Sequence, residues 1–260
     1  MATSEGERIS LQSLHLGTIG FSYDFWKGTF YPKKTLPKDY LNYYSTQFNT
    51  VEVDSTFYRI PTPPTVTNWK KQTPENFRFS LKFPQRITHF KMLKDCEQET
   101  EVFLNRVSLL GEKVGALLLQ FPPNFGVDHL PDLETYLQKL PSQHRYAVEV
   151  RNKGWLNHDF YSILKSNHAA LAWADRPLMA KVSEVTSDFL YIRWEGDRKK
   201  ANGALGRIEI DRALDLRLEA ERIKTFLDKM EVFGYFGKYY SGYPPSDVTT
   251  LQTILNTPQT

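Results

Sequence analysis

A chain of 260 residues with a formal net charge of +3 suits one large α/β domain or two small ones and can bury a substantial core. The charge is too mild to argue for nucleic acid without a concentrated patch, and the Lys-Lys pairs at 33–34, 70–71 and 199–200 are scattered. The single cysteine, Cys96, excludes an intrachain disulfide framework, and no stretch reaches the roughly 18 apolar residues that cross a bilayer. A cytoplasmic protein with no membrane partner is expected.

Residues 1–12 are polar and read as a flexible N-terminal segment, followed by a single domain over 13–260. Strand-like runs begin near His15, Phe48, Phe77, Val114, Arg145, Ala169, Asp188 and Val232. Helix-like stretches fall between them at 36–47, 63–72, 96–111, 130–140, 158–167 and 212–230. A last helix, capped by Ser246 and Asp247, carries Val248, Leu251 and Ile254. Strands alternating with helices at roughly 30-residue spacing indicate parallel βαβ units. Eight such units predict an α/β fold of the TIM-like (β/α)8 barrel kind. The sixth helix is expected to be irregular or missing, because only the stretch from Asp175 to Asp188 is available for it. An open doubly wound sheet competes, but it needs strands apolar on both faces, which the alternation here disfavours. Long connections at 85–95 and 197–211 would emerge at the C-terminal face, where barrels carry function.

Four runs alternate polar and apolar residues with period two. One face carries Thr50, Glu52 and Asp54, then Arg78, Ser80 and Lys82, then Glu149 and Arg151, then Tyr191, Arg193 and Glu195. With the apolar face turned to the helices, Thr18, Glu52, Asp54, Ser80, Lys82, Gln120, Glu149, Arg151 and Arg193 would line the upper interior, joined by Asp175. Such a set can be a structural ion-pair network, for example Glu52 with Lys82, or a working site. In the working reading Glu149 is the general acid or base and Glu52 its partner carboxylate. Lys82 would be a base or Schiff-base amine if its charge were depressed, but pairing with Glu52 or Asp54 is expected to hold it charged. Arg151 and Arg193 can clamp a carboxylate or phosphate.

His89, after the third strand, is the one histidine in a strategic place. No His or Cys spacing supports a zinc site; a Mg or Mn site from Glu52, Glu149 and Asp175 is the alternative to having no cofactor. The glycine-bearing stretch 237–245 and the helix after it form a candidate anion site, to which Lys238 would add charge. Aromatic residues crowd the same face, among them Tyr23, Phe57, Tyr58, Trp155, Tyr239 and Tyr240, for stacking on a ligand or for packing beneath loops.

Several segments together resemble the YecE-like family, the domain-of-unknown-function family 72. They are GTIGFSY (17–23), FYP (30–32), FNTVEVDSTFYRIP (48–61), FRFSLKFPQRITH (77–89), LLLQFPP (117–123) and RYAVEVRNKGW (145–155), with the Asp175 and Arg193 positions. The resemblance implies a TIM-like barrel and no settled reaction. Against the family pattern, Ile19 stands where Ser is usual, Glu195 where His is expected, and Gly237-Lys238 where an Asn pair is usual.

The expected function is therefore an enzyme acting on a small phosphorylated or sugar-like polar molecule at the C-terminal face, by carboxylate acid–base chemistry. One alternative is a non-catalytic protein that binds nucleic acid or a phosphometabolite through Arg198, Lys199 and Lys200. The other is a metal-dependent isomerase or nuclease. The sequence leaves the oligomeric state open.

Overall fold

The computed structural model describes residues 13–257; the expected flexible segment at 1–12 lies outside them. Eight parallel strands form a nearly closed barrel: β1 Leu14–Thr18, β2 Thr50–Val53, β3 Arg78–Lys82, β4 Val114–Gln120, β5 Arg145–Glu149, β6 Ala170–Asp175, β7 Phe189–Gly196 and β8 Glu231–Tyr239. The hydrogen-bonded order runs β1-β8-β7-β6-β5-β4-β3-β2. At the seam between β1 and β2 the Gly20 amide donates to the Glu52 carbonyl at 2.8 Å, and Ile19 bridges to Glu52. The strands come close there because residue 17 is glycine: a Cβ on Gly17 would lie 2.1 Å from the Thr50 carbonyl oxygen.

Around the barrel lie α1 Tyr40–Gln47, α2 Pro63–Lys71, α3 Glu97–Val107, α4 Leu130–Lys139, α5 His158–Ser166, α6 Ala213–Lys224 and α7 Pro244–Asn256. No helix joins β6 to β7, as the short spacing anticipated. Among the described residues no helix is long and apolar enough to cross a membrane. The last helix begins at Pro244, two residues before the expected cap. Pro suits a first helical turn, where its missing N–H would have no partner anyway. Asp247 therefore sits inside the first turn, buried, and accepts a hydrogen bond from the Ser241 hydroxyl at 2.6 Å.

Two apolar layers hold the fold. The larger lies between strands and helices and includes Leu16, Val51, Phe79, Leu119, Trp173 and Trp194. The smaller fills the barrel, and it is lopsided in residue size: Ala116, Ala147, Ala170 and Ala172 come from β4, β5 and β6, while Phe189, Tyr191, Phe233 and Tyr235 come from β7 and β8. Large rings from one side occupy the space that alanines leave on the other, which satisfies close packing in a narrow lumen. The Tyr235 hydroxyl bonds Thr50 at 2.9 Å and Ser80 at 2.7 Å. These hydroxyls cross the interior just below the charged layer.

Candidate functional site

Above the Tyr235 layer, the inner faces of β2, β3, β4, β5 and β7 bring Glu52, Lys82, Gln120, Glu149 and Arg193 together, as strand alternation anticipated. Arg193 is the hub. It clamps Glu52 with two bonds, Nε to Oε2 and Nη2 to Oε1, each 2.9 Å. Its Nη1 donates to both Glu149 and Glu195. Tyr191 adds a hydroxyl bond to Glu52 at 2.8 Å. Arg151 approaches Glu149 at 3.1 Å and Glu195 at 3.5 Å, and Arg176 approaches the same two at 3.4 and 3.6 Å. Three carboxylates thus face three guanidiniums. The pair that meets solvent on the cationic side is Arg151 and Arg176, with 23% of each side chain exposed, over a Glu149 side chain that is 1% exposed.

Glu149 and Glu52 are in consequence fully engaged. Burial raises the Glu149 carboxyl, but Arg193, Arg151, Arg176 and Lys82 outweigh it and hold that group well below the usual range. Such a carboxylate neither gives nor takes a proton near neutral pH. Glu52 is pushed up by burial against the pull of Arg193 and Tyr191, and both its oxygens are occupied. Both carboxylates of the expected acid–base pair are, in this geometry, bonded to Arg193.

Lys82 departs furthest from expectation. Neither Glu52 nor Asp54 pairs with it; Arg193, reaching across from β7, takes Glu52 instead. Among the described residues the Lys82 ammonium has no hydrogen bond or ion pair, and it lies over the Phe57 ring, 3.9 Å from the centroid. The residue is 8% exposed. Burial first, then the charge of Arg193, lowers its pKa from the ordinary 10.5 to about 8, with Glu149 and Glu52 opposing.

His89 packs edge-on against the same Phe57 ring, with centroids 4.8 Å apart. It sits in a single wide turn, Arg86–Phe90, closed by the Lys91 amide on the Arg86 carbonyl; such turns recur at functional sites. Burial and the charges of Lys82 and Arg151 depress its pKa to about 4, so it is a neutral imidazole beside the lysine. On the opposite side of the mouth, Tyr23 donates to the Ile19 carbonyl at 2.9 Å. Burial and the carboxylates of Asp54 and Glu52 push its hydroxyl pKa up. Asp54 is half-buried and, among the described residues, its carboxylate has no hydrogen-bond partner.

Other expected site residues lie elsewhere. Thr18 turns outward, bonding Tyr44 of α1 at 3.0 Å; His15, Gly17 and Ile19 hold the inward positions of β1. Asp175 also faces outward, beside Trp173, Trp194 and Arg222 in a shallow cleft on the barrel's outer wall, where no helix joins β6 to β7. Arg176, the next residue, continues the inward row of Ala170 and Ala172. Trp155 is fully buried, its indole N–H on the Phe125 carbonyl at 2.7 Å, and supports loops rather than a ligand. Gln120 does belong to the inward set, buried with its amide donating to the Phe121 carbonyl. Lys238 packs along Gly203 and toward the Tyr239 ring, apart from the arginine network. Arg198, Lys199 and Lys200 are exposed on a loop turn.

The candidate anion site at α7 is poorly equipped. Pro244 and Pro245 remove two N–H donors, the Ser246 amide is bonded to the Tyr243 carbonyl, and the first turn already holds the Asp247 carboxyl. The Mg or Mn donor set is not assembled either. Asp175 is on the outer wall, Glu52 and Glu149 are bridged by Arg193, and among the described residues no cluster of three His, Cys, Asp or Glu is placed to hold a metal ion.

Two members of the network stand outside the expected interior set. Alternation had put Glu195 on one face of β7 with Tyr191 and Arg193, the face that turns inward. Arg176 follows a strand with no polar alternation, and only the small-large pattern of β6 marks its side.

Comparison with known proteins places this geometry in a group. The family described as "Protein of unknown function DUF72" matches residues 15–260. The UPF0759 protein YecE of Escherichia coli is 41% identical over 112 residues, 43% of this chain and 41% of that protein. The UPF0759 protein YunF of Bacillus subtilis is 32% identical over 154 residues, 55% of this chain and 53% of that protein. In both cases the match spans less than two thirds of the relative's length. Among solved structures, a DUF72 family protein from Thermotoga maritima superposes with a TM-score of 0.79 at 24% identity, covering 94% of this chain and 99% of that one. One from Enterococcus faecalis gives 0.71 at 25% identity, covering 94% and 98%.

Proposed function

The chain belongs to the DUF72 family of proteins of unknown function, and from that premise we propose that it is an enzyme acting on a small polar molecule with an anionic group. The substrate sits at the C-terminal mouth of the barrel, and Lys82 is the working group. One observation carries the reading: among the described residues beneath that mouth, the buried Glu52 and Glu149 are held by arginine, while the lysine beside them is left without an ion pair. A buried amine kept unpaired costs stability that a purely structural core would avoid, and perturbed groups of this kind concentrate where chemistry is done.

The roles follow from position. Arg151 and Arg176, the partly exposed guanidiniums, receive the anionic group of the substrate in bidentate fashion. Lys82, with a pKa near 8, carries a useful fraction of free amine at neutral pH and acts as base or nucleophile. His89, neutral, can pass a proton. Glu52 and Glu149 fix Arg193 and keep the arginine edge in register. A cytoplasmic setting suits a chain whose one cysteine is buried and free.

The test is a turnover screen of phosphorylated sugars, 2-oxo acids and hydroxy acids with wild type and Lys82→Met. Any substrate found should lose turnover in Lys82→Met while its binding, followed by calorimetry, weakens mainly in Arg151→Gln. A substrate turned over equally by Lys82→Met removes Lys82 from the chemistry and overturns the reading.

A further inference from the structure

We infer that Lys82 is an imine-forming amine and that the substrate is a small anionic aldehyde or ketone; this rests on the reading above and names its substrate class. The ε-amine stands at the C-terminal end of β3 on the face of the Phe57 ring, with no hydrogen bond or ion pair among the described residues. Among the described residues no carboxylate forms an ion pair with it: Glu52 and Glu149 are bonded to Arg193 and favour its ammonium only through space. Phe57 shields one side of the amine and His89 packs against the edge of that ring, and the charges of Arg193 and Arg151 reach the amine from the network. The lowered ammonium pKa agrees with this geometry.

The two buried glutamates of this layer are both bonded to Arg193 and so are not free to act as a simple base. A lysine with a fraction of free amine offers what a carboxylate cannot, a nitrogen that forms an imine with a carbonyl carbon. In the step, the Nζ lone pair attacks the carbonyl carbon and the C=O electron pair moves to oxygen. That oxygen takes up the proton released by nitrogen, giving a carbinolamine. With one further proton from solvent the oxygen leaves as water, and nitrogen and carbon share the double bond of an iminium. No oxidant or reductant is consumed. The positive iminium can then withdraw electrons from the adjacent carbon, and the anionic group of the substrate, held by Arg151 and Arg176, fixes which carbon that is.

Glyoxylate, an aldehyde bearing a carboxylate, is a suitable probe. The full chain is incubated with glyoxylate and cyanoborohydride at pH 8, which reduces the iminium to a stable secondary amine, and the digest is mapped by mass spectrometry. Lys82 is expected to be modified on the order of tenfold faster than exposed lysines such as Lys199 and Lys200, since its amine fraction at that pH is far larger. The excess should fall in Arg151→Gln, and acetaldehyde, which lacks the anion, should show a smaller excess. An unmodified Lys82 in a protein that still binds glyoxylate in an Arg151-dependent way overturns the imine and leaves the anion site standing. Lys82 modified equally fast in wild type and Arg151→Gln, and by acetaldehyde as fast as by glyoxylate, overturns the anion reading instead.

Discussion

Lys82 shows how a single side chain can set function against stability. Its folded pKa is about 8 against an ordinary 10.5, so between those values the unfolded chain binds more protons than the folded one. Stability contributed through this group therefore rises as pH climbs through that window, and the full cost of holding the ammonium applies below it. Replacing it with an apolar side chain of similar length removes the cost. Lys82→Met is expected to be more stable than wild type at pH 7 by about 1–3 kcal/mol, and the gain should shrink by pH 10. Denaturant unfolding at the two pH values measures this; a variant less stable than wild type at pH 7 would mean that Lys82 has a partner in solution. Glu149→Gln behaves in the opposite sense. It leaves Arg193, Arg151 and Arg176 around a neutral amide, and breaking one side of a buried ionic set costs about 3–5 kcal/mol. Loss of activity in Glu149→Gln should thus come with a lower unfolding midpoint. Lost activity at an unchanged midpoint would restore Glu149 as a catalytic group.

At the scale of strands, the period-two pattern is the part of the site that the sequence made legible. It placed Glu52, Lys82, Glu149 and Arg193 on one inward face because polar and apolar residues alternate in their strands, whereas Gln120 is the one polar residue at the end of an apolar run. It misplaced Thr18 and Asp175 where that contrast fails. In β6 both faces are apolar, and only size separates the inward alanines from the outward Leu171 and Trp173. In β1 the inward positions belong to His15 and Gly17, and the hydroxyl of Thr18 suggested a lumen it does not face. The Glu52–Lys82 pairing failed for a different reason. The register of β2 and β3 sets Glu52 opposite Ser80, two residues before Lys82, and Arg193 from β7 takes the carboxylate from across the barrel, a contact no local spacing encodes. Closure of the barrel depends on β1 in one more way. A methyl group at Gly17 would meet the Thr50 carbonyl carbon at 2.9 Å as well as its oxygen, and backbone atoms cannot rotate away. Gly17→Ala should force β1 from β2 and destabilise by several kcal/mol, roughly the range of overpacked buried sites. Hydrogen exchange would show the loss first at the Gly20 amide, which bonds across the seam; unchanged protection there would mean that the strands part without cost.

For the molecule as a whole, α7 closes the chain against β1, β8 and α6, and its buried Asp247 adds a second titration to that of Lys82. Burial lifts the Asp247 carboxyl from 3.8 to about 7, against the pull of Ser241 and Arg212. Because the folded pKa lies above the unfolded one, stability from this group is fully present below about pH 4 and is lost as pH rises through about 7. Lys82 exacts its cost below about 8 and Asp247 above about 7. The two penalties overlap fully only between those values, which is the range in which the proposed amine chemistry needs both a folded barrel and some free Lys82. Asp247→Asn keeps an acceptor for the Ser241 hydroxyl and removes the buried charge, so it should flatten the fall in stability between pH 4 and 7. Combined with Lys82→Met, its gain over wild type should be largest between pH 7 and 8 and diminish on either side. Unfolding free energies of the double variant and wild type across pH 4 to 10 decide the matter. A gain that does not vary with pH would show that neither group is buried as an ion, and with it the argument for a reactive lysine at the barrel mouth would fall.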